Sequence, residues 1–321
     1  MTTAIIGGSG FLGRNVALRL LAHGEKPVVV HRGHEPANLP ESVAIERADR
    51  TDETALDTIF RRHEVTAVVD IFALSLGNTQ PVINAAQRAR ARYVLTSSVD
   101  VYANYEGLLR KGNAAPRMEP ADEDAPLRTM RYPYRGNPRR PQGVSDDLFE
   151  NYDKIVLEEA ARAADLDAVI LRPPMIFGVA DKQRRFGWVT DNAKPGEPFA
   201  IDERAYGWLN SYGYVEDIAE AFALAALHPK AAGRTYNVGQ NFVRSAADWA
   251  RTLLPYIGST AEVIAAPAGQ GVWADRADAS DLRYPLTLDT TRIRNELGFS
   301  EVQPESAAIK KTIASYSLPA H

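Results

Sequence analysis

Gly7, Gly10 and Gly13 stand at a spacing that lets bare backbone touch a diphosphate. They follow the apolar run 3–6 and open a helical pattern in which Leu12, Val16 and Leu20 recur until Gly24. Gly7 allows the tight turn, Gly10 admits the phosphates, and Gly13 lets helix and strand pack closely, so the first helical amides, at Phe11 and Leu12, face the phosphates. A second candidate lies mid-chain, where Glu150 and Lys154 are four apart in a stretch read as one helix over 145–164. Four residues turn a helix by about 400°, which makes this pair co-facial. Tyr152, two residues from Lys154, is turned by about 200° and falls on the opposite side unless the helix bulges or starts early. Glu150 before Lys154 reads either as an ordinary helical ion pair worth about 0.2–0.5 kcal/mol or as an acid–base group beside a cation. A carboxylate with a pKa near ~4.3 is a weak base for an alcohol but suits proton abstraction next to a carbonyl.

The elements that must hold these residues alternate. Apolar runs at 27–30, 43–45, 65–69, 92–96, 167–172 and 234–238 are separated by helical patterns near 53–62, 78–90, 145–164 and 217–227, the last capped by Asp217. This rhythm predicts an α/β protein with a doubly wound parallel sheet, a Rossmann arrangement. Residues 1–177 plus 211–240 read as the dinucleotide-binding domain. Residues 178–210 plus 241–321 read as a small, interleaved C-terminal substrate lobe. Between 103 and 143 the chain carries six prolines and eight Lys or Arg residues with little periodicity. Such a segment is either a solvated excursion or a basic lid, and a lid favours an anionic or hydroxyl-rich substrate.

Composition narrows the partners. A chain of 321 residues, 45% hydrophobic, can bury a large core. With a net charge of -4 and a pI of about 5.9 it lacks the basic surface that nucleic acids require. There is no cysteine, which excludes disulfides and thiolate chemistry. The six histidines, His23, His31, His34, His63, His228 and His321, show no ligand spacing, and no metal is expected. The first strand leaves no room for a signal peptide, and no apolar run approaches the roughly 20 residues of a membrane span, so a cytoplasmic protein without a membrane partner is expected.

Further landmarks accompany the glycines: Asp49 after the third strand, Ser97-Ser98-Val99-Asp100-Val101-Tyr102, Leu171-Arg172-Pro173-Pro174-Met175-Ile176-Phe177-Gly178, Gly213-Tyr214-Val215-Glu216-Asp217, Tyr236-Asn237-Val238-Gly239, and Leu286-Thr287-Leu288-Asp289 with Glu296-Leu297-Gly298. In order and spacing these resemble the extended short-chain dehydrogenase/reductase superfamily, specifically its NAD-dependent epimerase/dehydratase group, over nearly the whole chain. The resemblance implies that Ser98 holds the substrate oxygen undergoing redox chemistry and that Lys154 holds the cofactor ribose. Asp100 matches a proton-transfer carboxylate of sugar dehydratases. The family's Tyr-x-x-x-Lys is broken here, since Glu150 stands where the tyrosine belongs. Glu150, Tyr102, Tyr132 and Tyr134 are therefore the candidate proton carriers.

The resemblance also gathers His31, Arg32, Asp49, Arg50, Phe72, Ala73, Ser97, Pro173 and Met175 around the cofactor. Asp49 would meet the adenine, and Phe72-Ala73 would wall the ribose. The second strand ends in His31-Arg32-Gly33 without an acid for the ribose hydroxyls, and Arg32 can pair with a 2′-phosphate, which favours NADP over NAD. Tyr132, Tyr134, Arg135, Arg184 and Arg185 are candidate substrate contacts. The expected function is an NAD(P)-dependent oxidoreductase or epimerase acting at a carbinol or carbonyl carbon of a small polar metabolite, with nucleotide sugars among the candidates. The alternatives are a lyase or isomerase using Glu150 and Asp100, and a non-catalytic dinucleotide sensor. By analogy with the superfamily, a homodimer would pair through the helix near 78–90 and the one bearing Lys154.

Overall fold

A computed structural model describes residues 1–33, 39–137 and 145–316. His34, His321, the 138–143 part of the proline-rich segment and the last five residues of the tail lobe lie outside the described residues. Strand and helix alternate as β1 (Thr2–Ile6), α1 (Phe11–Ala22), β2 (Lys26–His31), β3 (Ala44–Arg47), α2 (Glu53–Arg62), β4 (Ala67–Asp70), α3 (Leu76–Ala89) and β5 (Arg92–Thr96). A 3-10 turn (Val99–Val101) and α4 (Ala103–Leu108) follow, so the proline-rich segment begins as a helix. Then come α5 (Asp146–Glu150), α6 (Lys154–Ala163), β6 (Ala168–Arg172), β7 (Met175–Phe177), α7 (Gly187–Thr190), β8 (Phe199–Asp202) and α8 (Glu203–Tyr206). After these lie β9 (Leu209–Asn210), β10 (Tyr212–Tyr214), α9 (Val215–Leu227) and β11 (Thr235–Asn237). The tail contributes β12 (Arg244–Ser245), α10 (Ala246–Leu253), β13 (Val263–Ala266), α11 (Ala274–Ala279), α12 (Thr291–Leu297) and α13 (Glu305–Ser315).

Seven strands form one parallel sheet in the order β11-β6-β5-β4-β1-β2-β3. The strand order reverses between β1 and β4, and in such sheets that crevice is where ligands sit, at the carboxyl ends of the strands. Successive strand residues point to opposite faces, and both faces are covered, which is why the strands read as continuous apolar runs. Ile5, Val29, Val69 and Val94 pack on one face with Leu12, Val16, Ile218 and Phe222 of α1 and α9. The opposite face joins Ile6, Val28, Val68 and Leu95 to Leu56, Phe60, Val82, Ile83 and Leu157 of α2, α3 and α6. Trp249, Ile293 and Ile309 of the tail belong to the first of these cores, so the C-terminal helices share the hydrophobic interior of the sheet.

Two local expectations fail. Asp217 does not cap α9, which starts two residues earlier; its carboxylate instead accepts from the backbone N–H of Val302 at 2.8 Å and ties α9 to the tail. The helix expected over 145–164 is broken. Ser145 caps α5, which stops at Glu150, and Asp153 sits in extended backbone and caps α6 by accepting from Ile155 N at 3.0 Å. An aspartate at an N-cap satisfies orphan amides only outside the helix, so Asp153 ends one helix and begins the next. The intervening Tyr152 forms an antiparallel bridge with Ser75.

Candidate active site

The glycine turn lies at the carboxyl end of β1. Gly7 has φ +83, and a Cβ there would come within 3.3 Å of the Phe72 Cβ, so the turn sits directly against the end of β4. At Gly13 a Cβ would stand 2.5 Å from the Gly8 Cα and 2.7 Å from the Gly7 oxygen, a contact only glycine allows. Gly10 differs: a Cβ there would meet nothing nearer than the Gly7 oxygen at 3.8 Å, so the protein leaves that side open. Gly10 is also the N-cap of α1, with no side-chain cap and no acid in the first turn. A 12-residue helix thus presents uncapped amides and the positive end of its dipole to open space, which fits a diphosphate.

Beside this turn, strand ends bring the reactive side chains together. Ser98 follows β5, and its hydroxyl oxygen accepts from the Asp100 N–H at 3.2 Å. The hydroxyl of Tyr152 donates to Asp100 Oδ2 at 2.6 Å and is also within hydrogen-bonding reach of Ser98. The second carboxylate oxygen of Asp100 is buried and has no partner. Lys154 opens α6 with its ammonium buried, donating to Ala73 O at 2.5 Å and Thr96 O at 2.8 Å, 5.6 Å from the Tyr152 ring. Burial pushes the Lys154 amine down to about 8. Burial also raises the Asp100 carboxyl, opposed by the Arg128 guanidinium, and raises the Tyr152 phenol, where the Asp100 charge adds to the effect. Both shifts favour the protonated forms, and the phenol donates to the carboxyl group.

Several expected carriers stand elsewhere. Glu150 ends α5 while Lys154 starts α6, so the co-facial pairing fails, and the Glu150 carboxylate accepts from Gly136 N at 2.9 Å. Tyr102 points away from the cleft: its hydroxyl donates to Asn237 Oδ1 at 2.6 Å and accepts from Arg172 at 3.0 Å, inside a buried network with Glu158. Tyr132 and Arg135 pack on each other, 4.0 Å from guanidinium to ring centroid, and Arg135 is exposed. Tyr134 does approach the site. Its ring lies 5.0 Å from that of Tyr152, and its hydroxyl is 2.5 Å from that of Tyr105. Ser97 turns inward and donates to Glu158 at 2.5 Å.

Around the adenosine end, Arg32 is exposed, and Gly33 N donates to His31 Nδ1. Asp49 accepts from Thr51, which holds its carboxyl below the usual range, and Arg32 and Arg50 reinforce this. Arg50 donates to Phe72 O at 2.7 Å, to the carbonyl of Asn78 and to the buried Asp70 at 2.6 Å, so it braces the floor of the crevice rather than reaching into it. Phe72 is 41% exposed beside the glycine turn. Pro173 accepts from Val99 N, and Met175 is half-buried in β7.

Opposite the crevice, Arg184 pairs with Asp191 at 2.7 Å at the surface, which removes it from the site. Arg185 is the reverse case: its Nε is buried with no partner. Arg276 of α11 stacks on Trp208 at 4.6 Å and Trp273 at 5.1 Å, and among the described residues neither guanidinium has an ion pair. Burial depresses the Arg276 guanidinium, and the Arg185 charge adds to that effect. The side chain of Asn210 and the indole N–H of Trp188 are also buried and unpaired, and both approach the Tyr212 hydroxyl. Two cations and several polar donors thus gather in one region around Tyr212. Tyr105 feels both Asp100 and Arg276 and so stands between the two centres.

Residues 3–239 match the model of the NAD dependent epimerase/dehydratase family. The chain belongs to that family. It is an enzyme of the short-chain dehydrogenase/reductase type, as its strand order and neighbours agree. A UDP-glucose 4-epimerase of Azospirillum brasilense is 25% identical, the alignment covering 92% of this chain and 86% of that protein. A Stigmatella aurantiaca ketoreductase acting on 4-hydroxy-2-methyl-3-oxo-4-farnesyl-3,4-dihydroquinoline-1-oxide is 24% identical over 94% of this chain and 92% of its own. The UDP-glucose 4-epimerase of Thermus thermophilus, solved with NAD, has the same fold at a TM-score of 0.67 and 21% identity, covering both chains fully.

Tyr152 stands two residues before Lys154, in the break between α5 and α6. Sequence reasoning put Tyr152 on the far side of one continuous helix and did not single out Arg128, Asp153 or Arg276. For Asp153 the signal was legible: it directly precedes Lys154-Ile155-Val156-Leu157, an N-cap before an apolar run. Arg276 is set by Trp273 nearby and by Trp208 and Tyr212, which lie far from it in the chain. Among the described residues, no helix is long and apolar enough to cross a membrane.

Proposed function

We propose that this family member is an NAD(P)-dependent oxidoreductase or epimerase that acts at a carbinol carbon of an anionic, hydroxyl-rich metabolite of the nucleotide-sugar type. The observation that carries the reading is the Tyr152 hydroxyl hydrogen-bonded to Asp100 and in reach of Ser98, beside buried Lys154 and an uncapped glycine turn. When bound, the dinucleotide supplies or accepts the hydride. Gly10, Phe11 and Leu12 would hold its diphosphate, and Lys154 its ribose. Ser98 orients the substrate oxygen. In reduction Tyr152 gives that oxygen its proton and is reprotonated from solvent; in oxidation it takes the substrate's proton as its own passes to Asp100. Arg185 and Arg276 would bind the phosphate or carboxylate of the substrate.

NADP stays the favoured cofactor on the strength of exposed Arg32 and the missing acid at the end of β2; the NAD held by solved neighbours weighs toward NAD. A cytoplasmic homodimer remains part of the reading and is checked by fractionation and sedimentation. The unpaired Asp100 oxygen favours a second reading, a lyase or isomerase in which Asp100 takes a carbon-bound proton.

Calorimetry with NAD, NADP and their reduced forms, followed by turnover assays on UDP-hexoses and simpler hydroxy acids, decides among these. Nicotinamide absorbance changing during turnover supports redox chemistry, and product without any such change supports the lyase or isomerase. Absence of binding by all four nucleotides would sink both.

A further inference from the structure

We propose that Arg128 is a positioning residue for the reaction: by gripping the Asp100 carbonyl and the Asp153 carboxylate together, it holds open the α5–α6 break and so keeps the Tyr152 hydroxyl on Asp100. This rests on the redox reading above. The guanidinium is buried and reaches both sides of the cleft. Its Nε donates to Asp100 O at 2.9 Å, one terminal nitrogen donates to Asp153 Oδ1 at 2.6 Å, and the other donates to the carbonyl of Met130. Its own N–H donates to Val101 O at 2.8 Å, which fixes it to the turn carrying Asp100.

Asp153 is as buried as its partner and does three things at once. It caps α6 through Ile155 N, accepts from Tyr132 N at 2.7 Å and neutralises Arg128. A buried ion pair is a poor route to stability, since two apolar side chains of similar volume do as well or better. What an apolar pair cannot do is fix an extended residue between two helices. If α5 ran straight into α6, Tyr152 would turn about 200° from Lys154 and leave Asp100. A lysine cannot replace Arg128, because one ammonium does not span both acceptors as the planar fork does.

The test uses the full chain in two variants, Arg128→Lys and the double variant Arg128→Met with Asp153→Asn. Asparagine keeps the cap, and the double variant removes both charges of the Arg128–Asp153 pair together. For each, the crystal structure is solved, dinucleotide affinity is measured by calorimetry, and kcat and KM are taken on whichever substrate the panel identifies. The expected result is a Tyr152 hydroxyl displaced from Asp100, kcat lowered about 30-fold or more, and both KM and dinucleotide Kd within about threefold of the parent. A merely structural role would lower thermal stability and active fraction without that split. A Tyr152–Asp100 hydrogen bond that survives in a folded variant, or an unchanged kcat, overturns the proposal. If no substrate is turned over, the redox reading fails on its own, and the crystal structures still judge the grip of Arg128. Should the double variant not fold, Arg128→Lys, which keeps the charge, decides the question by the same measurements.

Discussion

The Tyr152 hydroxyl sits 2.6 Å from Asp100 Oδ2, although these residues are 52 positions apart and Tyr152 lies on no helix. A phenol and a carboxyl group so close form one hydrogen-bonded couple, and this couple stands beside Lys154 where Glu150 was expected. Tyr152→Phe should therefore lower kcat by about 100-fold or more while leaving dinucleotide affinity intact. Glu150→Gln should keep activity within about threefold, because its carboxylate serves Gly136. Steady-state kinetics on the two variants compare these directly; equal losses would return Glu150 to the mechanism.

Lys154 gives the pH dependence. Burial disfavours its ammonium, which titrates at about 8 instead of 10.5. The charge is lost as pH rises through that value, so kcat/KM should fall on an alkaline limb near pH 8. The same shift fixes the sign for stability. Below 8 the folded state carries the full cost of the buried charge, and that cost is relieved as pH rises toward 10.5. Lys154→Met should accordingly raise the thermal midpoint at neutral pH while activity drops. A midpoint that falls instead means that the hydrogen bonds to Ala73 and Thr96 outweigh the desolvation.

Gly10 and Gly13 separate binding from folding. Alanine at Gly13 collides with the Gly8 Cα and the Gly7 oxygen, so the turn must shift and both stability and nucleotide binding should suffer. Alanine at Gly10 meets only open space within the protein. Its thermal midpoint should stay close to the parent's, while dinucleotide Kd rises on the order of tenfold because the methyl fills the diphosphate's place. Denaturation scans paired with calorimetry distinguish the two.

Half-buried Arg276 should show the trade between stability and function. Arg276→Met removes a guanidinium that nothing neutralises among the described residues, so the midpoint should rise. KM for an anionic substrate should increase about 10- to 100-fold, the worth of charge-assisted hydrogen bonds. Neutral substrate analogues should be unaffected. A KM that does not distinguish charged from neutral substrates would exclude Arg276 from anion binding.

The chain by itself determined the sheet, the glycine turn and the strand-end serine, because apolar runs of period two or less and glycines at fixed offsets are local facts that any core must respect. It also supplied Lys154 and Asp100. What it could not determine was which tyrosine meets them. Treating 145–164 as one helix made Glu150 the neighbour of Lys154 and sent Tyr152 to the far side, a sound deduction from helix geometry applied to a helix that does not exist. The break depends on Arg128, 25 residues upstream, reaching Asp153, and the anion contacts proposed for Arg185 and Arg276 depend on two residues far apart in the chain coming close enough for their charges to interact. Backbone periodicity is set within one turn or one strand, whereas the placement of a buried charge is set by whichever distant group can satisfy it, and only the folded chain brings that group within reach.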